Sequence, residues 1–308
     1  MVFVDPKNDV AFRKIFGSEN KKKILISFLN NILGFAGTAG EIVDIFIQNP
    51  YQVPKLEGLK ETILDIKAVD KRNIHYIIEM QVFHTSAFEK RVQYYVSKAY
   101  SGQLESGENY PKLNQVIFLG FLDFTLFKEV PGYASRHLIL EENSNGHYLK
   151  DLQFNFVELP KFTLTLEQLT NVKEKWIYFV KNADKMTMIP KQLEEPAELK
   201  EAFDVANQMS WSKEELQAYD TRGVLIQDER GRVEYALEEG LRKGEMIGIQ
   251  KGEEIGIRKG EEIGLKKGKD LGIKEGKQDI ARSMLQDGMD PETVSKFTGL
   301  AVAEINEL

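Results

Sequence analysis

Two neighbouring segments repeat apolar residues at every second position, and a side chain pattern of that period fits only a pleated strand. Along 62–69 the even positions are Thr62, Leu64, Ile66 and Ala68, and along 74–82 they are Ile74, Tyr76, Ile78, Met80 and Val82. That face is mostly core. The odd positions put Asp65, Lys67, Glu79 and Gln81 together on the opposite surface of the pleat. The turn signal Asp70-Lys71-Arg72-Asn73 between the segments predicts an antiparallel hairpin. Directly opposed residues share a face, so the two apolar faces pack together only if paired residue numbers sum to an even value. A four-residue loop pairing Val69 with Ile74 breaks that rule. An odd-length loop or a bulge is therefore expected, with Asp65 facing Ile77 or Glu79 and within reach of Glu79 and Gln81.

An acid on one strand, with an acid and an amide on the next, has the oxygen donors to hold a divalent metal against a phosphodiester. The same residues also read as solvated carboxylates on the wet face of a half-exposed sheet. Spacing alone leaves both readings open.

Other segments bear on the choice. DPKNDVAFRKIFG at 5–17, ILISFLNNILG at 24–34, LDIKAVD at 64–70, IEMQ at 78–81, KRVQYYVSKAYSGQL at 90–104 and ELPKF at 158–162 occur in that order. Together they resemble the recombination-promoting nuclease or transposase family of the PD-(D/E)XK nuclease superfamily. The resemblance is continuous over about the first 165 residues and looser toward the tail. It implies a DNA endonuclease dependent on Mg2+ (or Mn2+), with an α/β, restriction-endonuclease-like αβββαβ core and a mixed sheet. Under that resemblance Asp65 is the acid of the second core strand and Glu79 that of the third, and both bind the metal. Gln81 takes the position usually held by lysine and would position the attacking water. Glutamine there departs from the wider superfamily, although it is similar to the recombination-promoting branch. An amide is neutral and cannot offset transition-state charge as an ammonium can. The rival reading is thus a catalytically weak or inactive protein of the same fold that binds DNA or protein and assembles through its tail. Asp9 is a further site candidate, because the family's first helix can bring an acid near the metal. Its competing role is to favour the positive end of a helix begun by Asp5 as N-cap with Pro6 at N1.

A helix predicted from 88 to about 105 clusters Arg91, Tyr94 or Tyr95, and Lys98 on one flank, a spacing suited to gripping a phosphate backbone. A solvated basic edge with both tyrosines half in the core fits equally well. His75, His84, His137 and His147 have no metal-binding spacing, and there are no cysteines to join them. The net charge of -7 argues against indiscriminate coating of DNA. It is also uneven, with 15 Lys and Arg against 14 Asp and Glu in residues 1–125 and 26 against 34 in the remainder. Any grip on DNA is therefore local or metal-assisted. No apolar run reaches membrane-spanning length, and MVFVDPKND lacks a basic-then-apolar signal pattern, so no membrane and a cytoplasmic setting are expected.

The coarse layout is a nuclease-like domain at 1–165, a helical extension at 166–238, a glycine-periodic segment at 239–278 and a short helical module at 279–308. Helices are expected at 6–16, 20–33, 167–186 and 196–209, and strands near 41–49, 61–69, 74–83, 114–121, 133–142 and 148–158. Glycine recurs at every fourth position from 240 to 276. Each glycine costs a helix roughly 1 kcal/mol relative to alanine. The pairs Glu254/Arg258, Glu262/Lys266 and Asp270/Lys274 each return only about 0.2–0.5 kcal/mol. A helical rod stabilised by self-association is the leading reading, making a homo-oligomer through residues 240–276. A charged linker and a β-type repeat, the latter suggested by pairs such as Ile255/Ile257, are the alternatives. At the C-terminus, Gly288 and Asp290-Pro291 separate one helix from the next, in the manner of a degenerate helix-turn-helix. The acidic residues Asp290, Glu292, Glu304 and Glu307 favour packing or oligomerisation over DNA reading there.

Overall fold

A computed structural model describes residues 1–52 and 62–308. Glu61, the first residue of the strand expected at 61–69, lies outside the described residues. The chain divides into two units, Met1–Arg230 and Gly231–Leu308.

The first unit opens with helix α1 (Asp9–Phe16), later than expected. Asn8, not Asp5, is its N-cap: the Asn8 side chain accepts the Val10 N–H at 3.0 Å. Asp5 is consumed one step earlier, where its carboxylate accepts the Lys7 N–H and its carbonyl accepts the Asn8 N–H in a turn through Pro6. Helix α2 (Lys22–Leu33) buries Ile24, Leu25, Phe28, Leu29 and Ile32, an i, i+3, i+4 stripe in which each side chain contributes roughly 1.5–3 kcal/mol on burial. It stops at Gly34, whose φ of 72° is left-handed and suits a residue without Cβ.

Strands β1 (Ile45–Gln48), β2 (Tyr51–Gln52), β3 (Thr62–Ile63), β4 (Ile66–Asp70) and β5 (His75–Gln81) follow. After helix α3 (Phe88–Ser101) come β6 (Val116–Leu122), β7 (Ala134–Ile139) and β8 (Leu149–Glu158). Six of them form a mixed sheet in the order β1-β4-β5-β6-β8-β7, with β5-β6 and β6-β8 parallel and the other pairs antiparallel. β2 and β3 pair separately. The β4–β5 register runs from Ile66 opposite Ile78 to Val69 opposite His75, and every pair sums to an even number as the packing argument requires. The connection is the odd one expected: the Asp70 N–H donates to the Ile74 carbonyl at 3.1 Å, extending the register by one pair past the strand ends, and three residues, Lys71-Arg72-Asn73, remain between them, with Asn73 at a left-handed φ of 62°.

Helices α4 (Val172–Asn182) and α5 (Ala197–Ala206) are shorter than the sequence pattern indicated: α4 begins only after a 3-10 turn at Leu166–Gln168 and the N-cap Asn171, and a single 3-10 turn follows the C-terminal end of each. One face of the sheet packs against α1, α2, α4 and α5 in a core that includes Phe16, Phe28, Phe121 and Trp176. The other face is covered by α3, whose Phe88, Val92 and Val96 join Ile77, Phe118 and Leu122 in a second core. The odd face of the hairpin is therefore not a wet face, and Glu79 is only 5% exposed.

Helix α6 (Lys213–Gln286) begins in the first unit and supplies much of the second. It contains the whole glycine-periodic segment, so neither the linker nor the β-type alternative describes 240–276. Built on any of those ten glycines, a Cβ would meet no heavy atom within 4 Å beyond its chain neighbours and the adjoining backbone of its own helix. The second unit closes with α7 (Pro291–Thr298), capped by Asp290, and α8 (Val302–Ile305). Gly288 and Gly299 make the intervening breaks at φ values of 87° and 68°. Ala281, Val294, Leu300 and Ile305 form its small core. Among the described residues, no helix is long and apolar enough to cross a membrane.

Candidate active site

The chain leaves the sheet ladder at Asp65, immediately before β4, and its side chain takes the place of a ladder partner. The Met80 N–H donates to Asp65 Oδ2 at 2.8 Å. In return the Asp65 N–H donates to Glu79 Oε1 at 3.2 Å. Each carboxylate thus accepts a backbone donor from the other's strand, which locks two acids side by side at one end of the hairpin. Burial raises the Glu79 carboxyl from its ordinary 4.5 to about 8, with the neighbouring Asp65 charge as the next contribution. Burial also raises Asp65, against the Met80 N–H and the guanidinium of Arg13, which pull it down.

Gln81 lies beside them and its orientation is set from both ends. Its Nε2 donates to Glu79 Oε2 at 2.9 Å, and its Oε1 accepts from Arg91 of α3 at 2.7 Å. Arg91 also packs over Phe88, 5.1 Å from the ring centroid, and its Nε is buried without a partner. Tyr95 is half-buried next to this group; burial raises its hydroxyl pKa, followed by the charge of Glu79. Tyr94 is exposed, with Lys98 Nζ 5.9 Å from its ring centroid. The four residues on α3 therefore separate: Arg91 and Tyr95 face the acid pair, whereas Tyr94 and Lys98 form an outer pair.

Asp9 reaches the pair only through an intermediary. Arg13 stands 3.8 Å from Asp9 and donates to Asp65 Oδ1 at 3.0 Å. Asp9 also accepts from Arg222 Nε at 2.8 Å. Sequence reasoning missed Arg13 altogether. Its only signal is the i, i+4 relation to Asp9, and nothing in the sequence indicates that it spans 52 positions to Asp65. Lys67, on the same face of the hairpin, makes no ion pair among the described residues, and burial lowers its pKa. Gly120, opposite Glu79 on β6, leaves room for aromatic packing: a Cβ there would stand 3.0 Å from Phe118 and 3.2 Å from Phe156.

Two buried carboxylates side by side, with the Asp65 charge raising the pKa of Glu79, offer oxygen donors to a divalent cation, whose charge would offset both the repulsion and the desolvation. Among the described residues there is no group of three or more His, Cys, Asp or Glu that could hold a metal. An ion such as Mg2+ retains several waters and takes few protein ligands, so two carboxylates could be its only protein oxygen donors.

The family model of the PD-(D/E)XK nuclease family transposase matches residues 6–236. The model of the Rpn/YhgA-like nuclease family, C-terminal HTH domain, matches residues 274–308. No curated protein and no solved structure matches the chain.

Proposed function

Because the chain belongs to the PD-(D/E)XK nuclease family transposases, a recombination-promoting nuclease group, we propose that it is a metal-dependent DNA endonuclease acting on mobile or recombining DNA. The observation that carries this reading is the reciprocal Asp65–Glu79 pair with Gln81 fixed beside it. Asp65 and Glu79 would hold Mg2+ or Mn2+. When bound, such an ion lowers the pKa of a coordinated water and offsets charge on the scissile phosphate. The residues themselves do the rest. Glu79 and Asp65 accept protons or hydrogen bonds at the carboxylate edge, and the Gln81 amide, held by Arg91, presents a fixed dipole to a nucleophilic water. Arg91 contributes the positive charge that glutamine lacks, with Tyr95 beside it. Tyr94 and Lys98 suit contact with a phosphate farther along the backbone. Asp9 acts here by orienting Arg13, not as a metal ligand.

The C-terminal helix-turn-helix match further supports DNA as the partner. Homo-oligomerisation fits the tail, because exposed Ile255, Ile263 and Leu271 accompany glycines whose helix cost the neighbouring i, i+4 pairs would offset only in part.

One observation favours a second reading, that of a nuclease-fold protein that binds DNA without cutting it: Arg13 already neutralises Asp65. Nicking of supercoiled plasmid by purified protein with Mg2+, beside Asp65→Ala and Glu79→Ala, tests the choice. Metal-dependent nicking lost in both variants supports the endonuclease. Absence of nicking, or equal nicking in the variants, supports the binding protein.

A further inference from the structure

A cleft of about 580 Å3 lies between α1 and the start of α6, lined among others by Arg13, Lys14, Lys21, Val10, Trp211 and Glu215. Its charge is lopsided. Of the three cations, Lys14 is paired with Glu215, the only acid in the lining. The Lys21 side chain has no hydrogen-bond or ion-pair partner among the described residues. Arg13 is shared with Asp65, so the cleft abuts the acid pair. The apolar part of the wall is Val10, Val205 and the rim of Trp211, which is held in place by its Nε1 donating to the Val205 carbonyl at 2.7 Å. One indole face carries Lys14 Nζ at 4.9 Å, and the Tyr219 ring meets the indole edge-on at 5.8 Å. A mixed wall, cationic on one side and aromatic and aliphatic on the other, has the chemistry to receive a phosphate and a base at once. Its volume falls within the roughly 300–1,000 Å3 of small-ligand clefts.

We propose that this cleft receives one unpaired nucleotide next to the cut, its phosphate on Arg13 and Lys21 and its base against Val10 and the indole rim. The preferred substrate is then DNA with a single-stranded or unstacked position beside the scissile phosphate. This deepens the endonuclease reading and rests on it for the word "cut". Duplex DNA can touch the cations from outside, but a base reaches Val10 and Trp211 only after leaving its stack. Intact duplex therefore forgoes part of the site, and an unpaired position fills it without the unstacking cost.

The test is binding without metal, so that cleavage plays no part. A labelled short duplex carrying one bulged nucleotide is compared with the same duplex intact, by anisotropy in EDTA. The bulged duplex is expected to bind at least about fivefold tighter, the low end for one base–aromatic contact. Lys21→Glu, a partly exposed position whose change spares the core, is expected to weaken binding of both duplexes and to reduce the salt slope by about one. Tryptophan fluorescence is a second readout: Trp176 is fully buried, so quenching by the bulged duplex reports on Trp211. Equal binding of the two duplexes, or an affinity and salt slope left unchanged by Lys21→Glu, overturns the proposal. Preference without plasmid nicking keeps the cleft and defeats the endonuclease reading, whereas nicking without preference does the reverse.

Discussion

Two buried glutamates end up in opposite circumstances, although both stand at or near the C-terminal ends of strands in the same sheet. Glu158, 1% exposed, accepts the Leu126 and Phe127 N–H groups and the Lys161 ammonium at 2.7 Å. The same ammonium donates to the Phe127 and Val130 carbonyls, so the carboxylate and its lysine staple a loop to the sheet. Glu79, 5% exposed, accepts one long backbone bond and one amide bond, touches no cation directly among the described residues, and has a second carboxylate for a neighbour. Burial alone does not mark a functional acid. What distinguishes the two is that the fold bonds a cation to Glu158, whereas the cations that lower the Glu79 pKa, Arg91 and Arg13, act on it without a direct bond among the described residues.

The largest expected difference is in activity. Glu79→Gln should lower Mg2+-dependent nicking by more than the roughly 100-fold that loss of an outer partner of a metal site can cost. Glu158→Gln, corrected for the folded fraction, should nick at the parental rate; a similar loss in both would erase the distinction. The order reverses for stability measured by urea unfolding at neutral pH. Glu158→Gln should lose about 3 kcal/mol, because it strands a buried ammonium. Glu79→Gln should lose less than about 1 kcal/mol, since it removes a charge that burial already disfavours.

A pH scan sharpens the contrast further. With its folded pKa raised from 4.5 to about 8, Glu79 binds more protons folded than unfolded between those values. Stability of the metal-free protein should therefore fall as pH rises through that window and level off above it. Melting temperatures in EDTA should show this decline in the parent and a flatter profile in Glu79→Gln, and added Mg2+ should oppose the decline in the parent alone. The smallest effect belongs to Arg13→Gln. Its partly exposed ion pair is worth at most about 1 kcal/mol. Its removal should nevertheless raise the Asp65 pKa, read by NMR titration of the carboxyl carbon; an unmoved Asp65 would mean that Arg13 does not restrain the pair.

Period-two alternation was enough to bring Asp65, Glu79 and Gln81 to one face and to require an odd turn, because strand geometry leaves no freedom in parity. It does not indicate that α3 covers that face, which is a matter of tertiary packing, and it is the burial of Glu79 that rules out the solvated-acid alternative there. Helix ends were the least legible. Asn8 outcompeted Asp5 as a cap because the turn through Pro6 had already used the Asp5 acceptors. Arg91 was visible as a basic residue on a helix, but its bond to Gln81 depends on how that helix lies across β5, and Arg13 depends on a contact between distant segments.

The glycine spacing in α6 has a geometric consequence. An α-helix turns about 100° per residue, so each four-residue step carries the glycine line about 40° around the axis. From Gly240 to Gly276 that advance amounts to about one full circuit. No side of this stretch is the glycine side. A straight partner lying alongside would meet only a few consecutive glycines before the line passed out of reach, whereas a partner that winds with it could follow it throughout. Contact along the whole segment therefore selects for a companion able to coil, and a rigid flat surface is geometrically disqualified.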